Sequence, residues 1–208
     1  DRNVSQYLRG RDEEILKQWF PHEKKILLDK TLTDGAGQIR AVSRLAFRAA
    51  LEDNKLENLE RKIDRLFRID GDTNTSSIRV MVVNSIGGGT GAGIFLQVAM
   101  YIRDYIENRK NKKVLIKGSF VLPDVVIPEI ENTQQIENIR ANGYACLKEL
   151  DCITSIADGS ANVNLELEFK PNQRDSQGKI NFDIGNKRPY DFVFLYDYNL
   201  KGFFQSCK

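Results

Sequence analysis

A chain of 208 residues, 41% of them hydrophobic, has the length and apolar content of one large domain or two small ones with a buried core. Its 31 Lys and Arg against 29 Asp and Glu leave a formal charge of +2, too little to mark nucleic acid or an anionic membrane as a partner, and its longest apolar runs, Val80 to Val83 and Phe192 to Tyr196, fall far short of the roughly 18 residues of a membrane span. Three cysteines, Cys146, Cys152 and Cys207, without an apolar leader fit a reducing cytoplasm, and a chain that opens at Asp1 and stops just after Phe203 and Phe204 is expected to be a piece of something longer.

Tyr7, Leu8, Ile15, Leu16, Trp19 and Phe20 share most of one helical stripe, which predicts a first helix from Gln6 to Phe20, closed by Pro21. A glycine-containing loop, Thr33 to Gly37, precedes a second helix marked by Ile39, Val42, Leu45, Ala46, Ala49 and Ala50. Leu56, Leu59, Ile63 and Leu66 predict a third, ending near Phe67. The period then changes. Ile78 to Val83 reads as a strand covered on both faces, Ile94 to Ile106 as a helix, and Val114 to Leu122 as a second strand; a crossover of this length implies a parallel sheet. Pro123 and Pro128 bracket a loop before a helix from about Thr133 to Leu150. Alternation at Val163, Leu165, Leu167 and Phe169, resumed at Ile180, Phe182 and Ile184, predicts a half-exposed hairpin inserted at about 157–189, and Phe192 to Tyr196 returns to the pattern of a buried strand. The expected class is α/β, a parallel-sheet core interrupted by a β-hairpin.

The chemistry concentrates in Gly87-Gly88-Gly89-Thr90-Gly91-Ala92-Gly93, which follows a strand directly and opens a helix directly. Five glycines in seven positions leave backbone amides uncovered and free to adopt positive φ, and the helix adds its N-terminal dipole and unpaired N–H groups to the same point. Thr90 adds a hydroxyl donor. A plain turn needs one or two glycines, so the reading is an anion site. A Walker loop is excluded because Gly93 is followed by Ile94 and Phe95 instead of Lys and Ser or Thr. Gly87, Gly89 and Ala92 satisfy the loose dinucleotide pattern, yet the position for its acidic ribose partner holds Arg109, Lys110, Lys112 and Lys113, with Asp124 arriving late.

The run Gly87 to Gly93 resembles the G-G-G-T-G-[STA]-G motif of the tubulin and FtsZ superfamily, in the same strand-before, helix-after setting. Upstream, Gly35-Ala36-Gly37, opening a helix, resembles the family's G-A-G loop, and its continuation through Gln38, Ile39, Arg40 and Arg44 to Ala46 is most similar to bacterial tubulin-like proteins of uncertain function. The resemblance implies the three-layer nucleotide-binding core of that superfamily, with GTP or GDP held at Gly87 to Gly93 and Mg²⁺ carried by the nucleotide. It implies that Gly35, Ala36 and Gly37 face the terminal phosphate, that Asp197 or Asn199 meets the guanine, and that Glu129 or Glu131 meets the ribose. It also implies head-to-tail self-association, with hydrolysis completed across the subunit contact. The family's first strand and first Gly-rich loop are expected before Asp1, and its hydrolytic acidic loop beyond Lys208, so GTPase activity is expected only of an intact, assembled protein. Other classes compatible with these residues are a non-hydrolysing tubulin-like scaffold or complex subunit and a dinucleotide-dependent enzyme.

The remaining chemical residues have plainer readings. His22, the only histidine, follows a helix beside Pro21 and lacks metal partners in the sequence. Arg40 and Arg44 lie one turn apart, so one could reach a phosphate, although a solvated helix face is the ordinary reading. Arg109 to Lys113 reads as a helix cap and loop, Trp19 as a packing anchor, and Cys146 as a small core residue. Asn164, Glu166 and Glu168 read as a solvated strand face.

Overall fold

A computed structural model of the chain describes residues 3–8, 20–21, 29–31, 36–68, 77–160 and 188–198. Among the described residues three helices precede the sheet: α1 (Val4–Leu8), α2 (Arg40–Glu52) and α3 (Glu57–Leu66). The described part of the sheet has three parallel strands in the order β1-β2-β3, namely β1 (Ser77–Ser85), β2 (Lys113–Val121) and β3 (Phe192–Tyr196). α4 (Gly89–Asp104) connects β1 to β2, and α5 (Thr133–Ala157) lies between β2 and β3. Both crossovers run the same way across the sheet, and the right-handedness of such units sets α4 and α5 on one face. The α/β parallel sheet expected from the two apolar runs is therefore present. The inserted hairpin, the acidic alternation at Asn164 to Glu168, and the middle of the first predicted helix with Trp19 all lie outside the described residues, as do His22, Gly35, Asn199 and Cys207.

The core follows from this layering. Phe95 of α4, Phe120 of β2 and Tyr190 before β3 meet as one aromatic cluster, with Phe120 edge-on to Phe95 at 5.5 Å and to Tyr190 at 5.1 Å between centroids. The Tyr190 hydroxyl donates to the Phe95 carbonyl at 2.6 Å, so the one polar atom of the cluster is satisfied. Arg103 closes the other side: its Nη2 donates to Asp191 Oδ2 at 2.8 Å, and that oxygen also accepts from the Ile116 amide at 2.6 Å. One carboxylate thus fixes the entry to β3 against both α4 and β2.

Four boundaries or environments differ from the sequence reading. The last long helix runs past Leu150 to Ala157, since nothing between Asp151 and Ala157 breaks it until Gly159 at φ +71. α4 continues into a π-helical turn at Tyr105–Arg109. This turn carries Arg109 and Lys110 to the acidic face of α3, where Arg109 Nη1 meets Glu60 Oε1 at 2.7 Å and Lys110 Nζ meets Asp64 Oδ2 at 2.9 Å; the basic cluster is a helix-to-helix tie rather than a cap and loop. β1 is not covered on both faces, because Met81 and Val83 are 59% and 66% exposed. β3 is exposed along its whole described length rather than buried. In β1 the apolar composition reflects one packed face, on which Val80 and Val82 meet the core, and one open face among the described residues.

Replacing Phe120 with Ala removes a fully buried ring from the contact between α4, β2 and Tyr190. The expected loss is about 3–5 kcal/mol of unfolding free energy, read from urea denaturation. A loss below about 1 kcal/mol would show that the cluster is not the centre of this core.

Candidate functional site

The carboxyl ends of the three strands lie level. Ser85 pairs with Val121 and Val121 with Tyr196, so the glycine loop after β1, the Pro123 turn after β2 and Asp197 after β3 all leave one edge of the sheet. Ligands of open α/β sheets bind in the crevice outside this edge. With strands about 4.8 Å apart, Asp197 starts roughly two strand spacings across the sheet from the glycine loop.

At the loop itself, α4 begins at Gly89, with Gly88 extended at φ −78° and ψ 168° and no side chain capping the helix. Helix geometry leaves the amides of Gly88, Gly89, Thr90 and Gly91 without intrahelical acceptors. Thr90 is exposed at this end. The glycines, however, are not there for positive φ, since among the described glycines only Gly37 and Gly159 have it. They are there for closeness. A Cβ on Gly89 would sit 2.7 Å from the Ile39 nitrogen and 2.8 Å from Ala36 Cβ, one on Gly91 would overlap the Ser85 carbonyl, and one on Gly93 would overlap the Arg40 carbonyl. Gly88 is the exception: among the described residues a Cβ there meets nothing within 4 Å, so it faces open space at the start of α4.

The second loop is built against the first. Gly37 has φ +52° and Gln38 φ +65°, two successive left-handed residues, of which the second is not glycine. Asn142, on α5 and only 7% exposed, donates through Nδ2 to the Gln38 carbonyl at 2.9 Å and to the Gly87 carbonyl at 3.1 Å. One buried amide therefore ties both loops to α5. Along the same helix face, Ile139 packs on Gly87, and the Cys146 thiol lies against the Ile86 and Ala92 carbonyls at 3.7 and 3.4 Å. Positions 139, 142, 143 and 146 follow helical spacing, but nothing in the sequence marked the role of Asn142.

A family model described as tubulin like matches residues 1–203. The chain belongs to the tubulin-like family. No curated protein and no solved structure gives a significant match.

In this tubulin-like chain Ala36, Gln38 and Ile39 stand against Gly89, while Gly35 and Asn199 lie outside the described residues. Asp197 is at the strand edge, partly buried, and Glu129 and Glu131 are exposed in the segment between β2 and α5. Arg40 and Arg44 are not a solvated helix face. Arg40 Nη2 donates to the Ala92 carbonyl at 3.2 Å and pairs with Glu149 of α5. Gln97, in the amide orientation that satisfies its neighbours, donates to the Gly93 carbonyl at 3.2 Å and accepts from Arg44 Nε at 3.3 Å. These side chains line a polar cleft of about 320 Å³ between α2, α4 and α5. Burial pushes the Cys146 thiol up to about 12, against a smaller lowering by Arg40, which keeps it protonated and unreactive at neutral pH. Among the described residues no group of His, Cys, Asp and Glu is arranged to hold a metal ion, and no helix is long and apolar enough to cross a membrane.

Two outcomes follow from the packing. Gly88→Ala should fold with stability within about 1 kcal/mol of wild type, whereas Gly91→Ala and Gly93→Ala should lose about 1–3 kcal/mol or more in chemical denaturation, because backbone carbonyls must move. Equal tolerance at all three positions would contradict the close-contact account. In the native protein at pH 8, Cys146 should stay unmodified by an aromatic disulfide reagent that labels the unfolded chain fully, as mapped by peptide mass spectrometry. Rapid native labelling at Cys146 would contradict its placement.

Proposed function

We propose that this chain is the guanine-nucleotide-binding core of a tubulin-like protein that self-associates head to tail. The observation that carries the proposal is the uncapped start of α4, where the amides of Gly88 to Gly91 and the dipole of a 16-residue helix converge on the open space in front of Gly88. That space suits phosphate oxygens: helix geometry leaves four amide donors at this end, and among the described residues nothing lies within 4 Å of a Cβ placed on Gly88. In this reading the loop at 35–37, whose Ala36 stands against Gly89, is the part that meets the terminal phosphate, and Thr90 adds a hydroxyl at the exposed helix end. Mg²⁺ would arrive with the nucleotide and neutralise phosphate charge. Asp197 or Asn199 would read the guanine, whose N1–H and exocyclic amine together suit a carboxylate in a way that adenine does not. Hydrolysis, in this reading, belongs to the assembled protein, in which a neighbouring subunit completes the site.

The test is nucleotide binding by the longest natural form of the protein, using fluorescent GTP with ATP as competitor. Gly88→Val places a side chain in front of the amides without meeting a neighbour at Cβ. Its affinity for GTP should fall by about tenfold or more while the melting temperature holds, since several charge-assisted amide bonds are blocked together. Unchanged affinity in this variant, or displacement by ATP as effective as by GTP, would overturn the phosphate or the guanine assignment respectively.

A further inference from the structure

We propose that Asn142 is the positioning residue that makes the two loops one site, and through it the element that lets this protein distinguish a nucleoside triphosphate from a diphosphate. This rests on the nucleotide-binding reading above and extends it to a residue on a helix that contributes no glycine loop. The chemistry of the site specifies an amide. Two carbonyl oxygens, of Gln38 and Gly87, converge on one side-chain nitrogen at 2.9 and 3.1 Å, and the neutral NH₂ group has the two hydrogens to donate to both at once. A carboxylate of the same shape would set an anionic oxygen against two carbonyls in a site where Asn142 is 7% exposed.

The Gln38 bond matters most because of the backbone it restrains. Gln38 sits at φ +65°, directly after Gly37 at φ +52°. A left-handed glutamine persists only where its surroundings hold it. Asn142 holds the carbonyl, and contact with Gly89 limits the loop from the other side. The diphosphate part of a nucleotide is held by the Gly88 to Gly91 amides of α4, which the packing of Gly91 on the end of β1 and of Gly93 on α2 keeps in place when the 36–38 loop moves. The terminal phosphate reaches that loop. Release of the Asn142 restraint therefore weakens the third phosphate's contacts and leaves the first two in place.

The experiment measures dissociation constants of a non-hydrolysable GTP analogue and of GDP for wild type, Asn142→Asp and Asn142→Ala in the longest natural form of the protein, with melting temperatures in parallel. The expected result is a loss of about tenfold or more for the triphosphate, with GDP affinity within about threefold of wild type. Equal losses for both nucleotides would reduce Asn142 to a structural role, and unchanged affinity for both would remove any role. Should both variants fail to fold, hydrogen exchange on the wild type decides. Residues 36–39 and 139–146 should be better protected with the triphosphate analogue than with GDP, and identical protection would overturn the proposal. A wild type that binds neither nucleotide would instead overturn the underlying nucleotide reading.

Discussion

Everything at the carboxyl edge of this sheet depends on the absence of side chains at three positions in the first turns of α4. Gly89 lies against Ala36, Gln38 and Ile39, Gly91 against the end of β1, and Gly93 against Arg40 and Ser43 of α2. At each position a single carbon would force backbone to move. Because the contact has no slack, the start of α4 is placed by its neighbours on three sides, and its free amides point where the packing aims them. Preorganised donors of this kind stabilise charge without first having to reorganise.

The rest of the structure serves to keep that contact in register. β1 delivers the loop at the sheet edge, and the Phe95, Phe120 and Tyr190 cluster fastens α4 to the sheet below it. α5 closes the arrangement from the side. Ile139, Asn142 and Cys146 touch the glycine loop or the first turns of α4 from one helical face, and Glu149 continues that face to Arg40. α5 is thus in contact with both loops and with α2. A displacement of the 36–38 loop has a direct mechanical route to a 25-residue helix. At this interface Cys146 is protonated and Arg40 is paired with Glu149.

Much of this was legible in the amino-acid sequence. Glycine density between an apolar run and a helical stripe located the loop, and the second loop at Gly35 to Gly37 made the superfamily resemblance specific. The parallel sheet followed from strand, helix and strand lengths. What was not legible was the reason for the glycines. Sequence allows either positive φ or close approach, and only the packed neighbours of Gly89, Gly91 and Gly93 decide for close approach. The exposure of β3 was hidden for a related reason, because an all-apolar strand reads as buried even when one layer is missing beside it among the described residues. Asn142 escaped because its partners are 104 and 55 positions away, and a single Asn in a polar stretch of helix carries no local signal.

The central claim is that the amides at the start of α4 hold nucleotide phosphates. Its most direct measurement is a titration of the isotopically labelled protein with Mg²⁺ and GTP, followed through the backbone amide resonances of Gly88, Gly89, Thr90 and Gly91. The account predicts that these four resonances move downfield in a saturable way, as amides do on donating to a charged oxygen, and that GDP moves them too. Saturable binding that leaves all four unmoved while other resonances shift would place the nucleotide elsewhere and contradict the account.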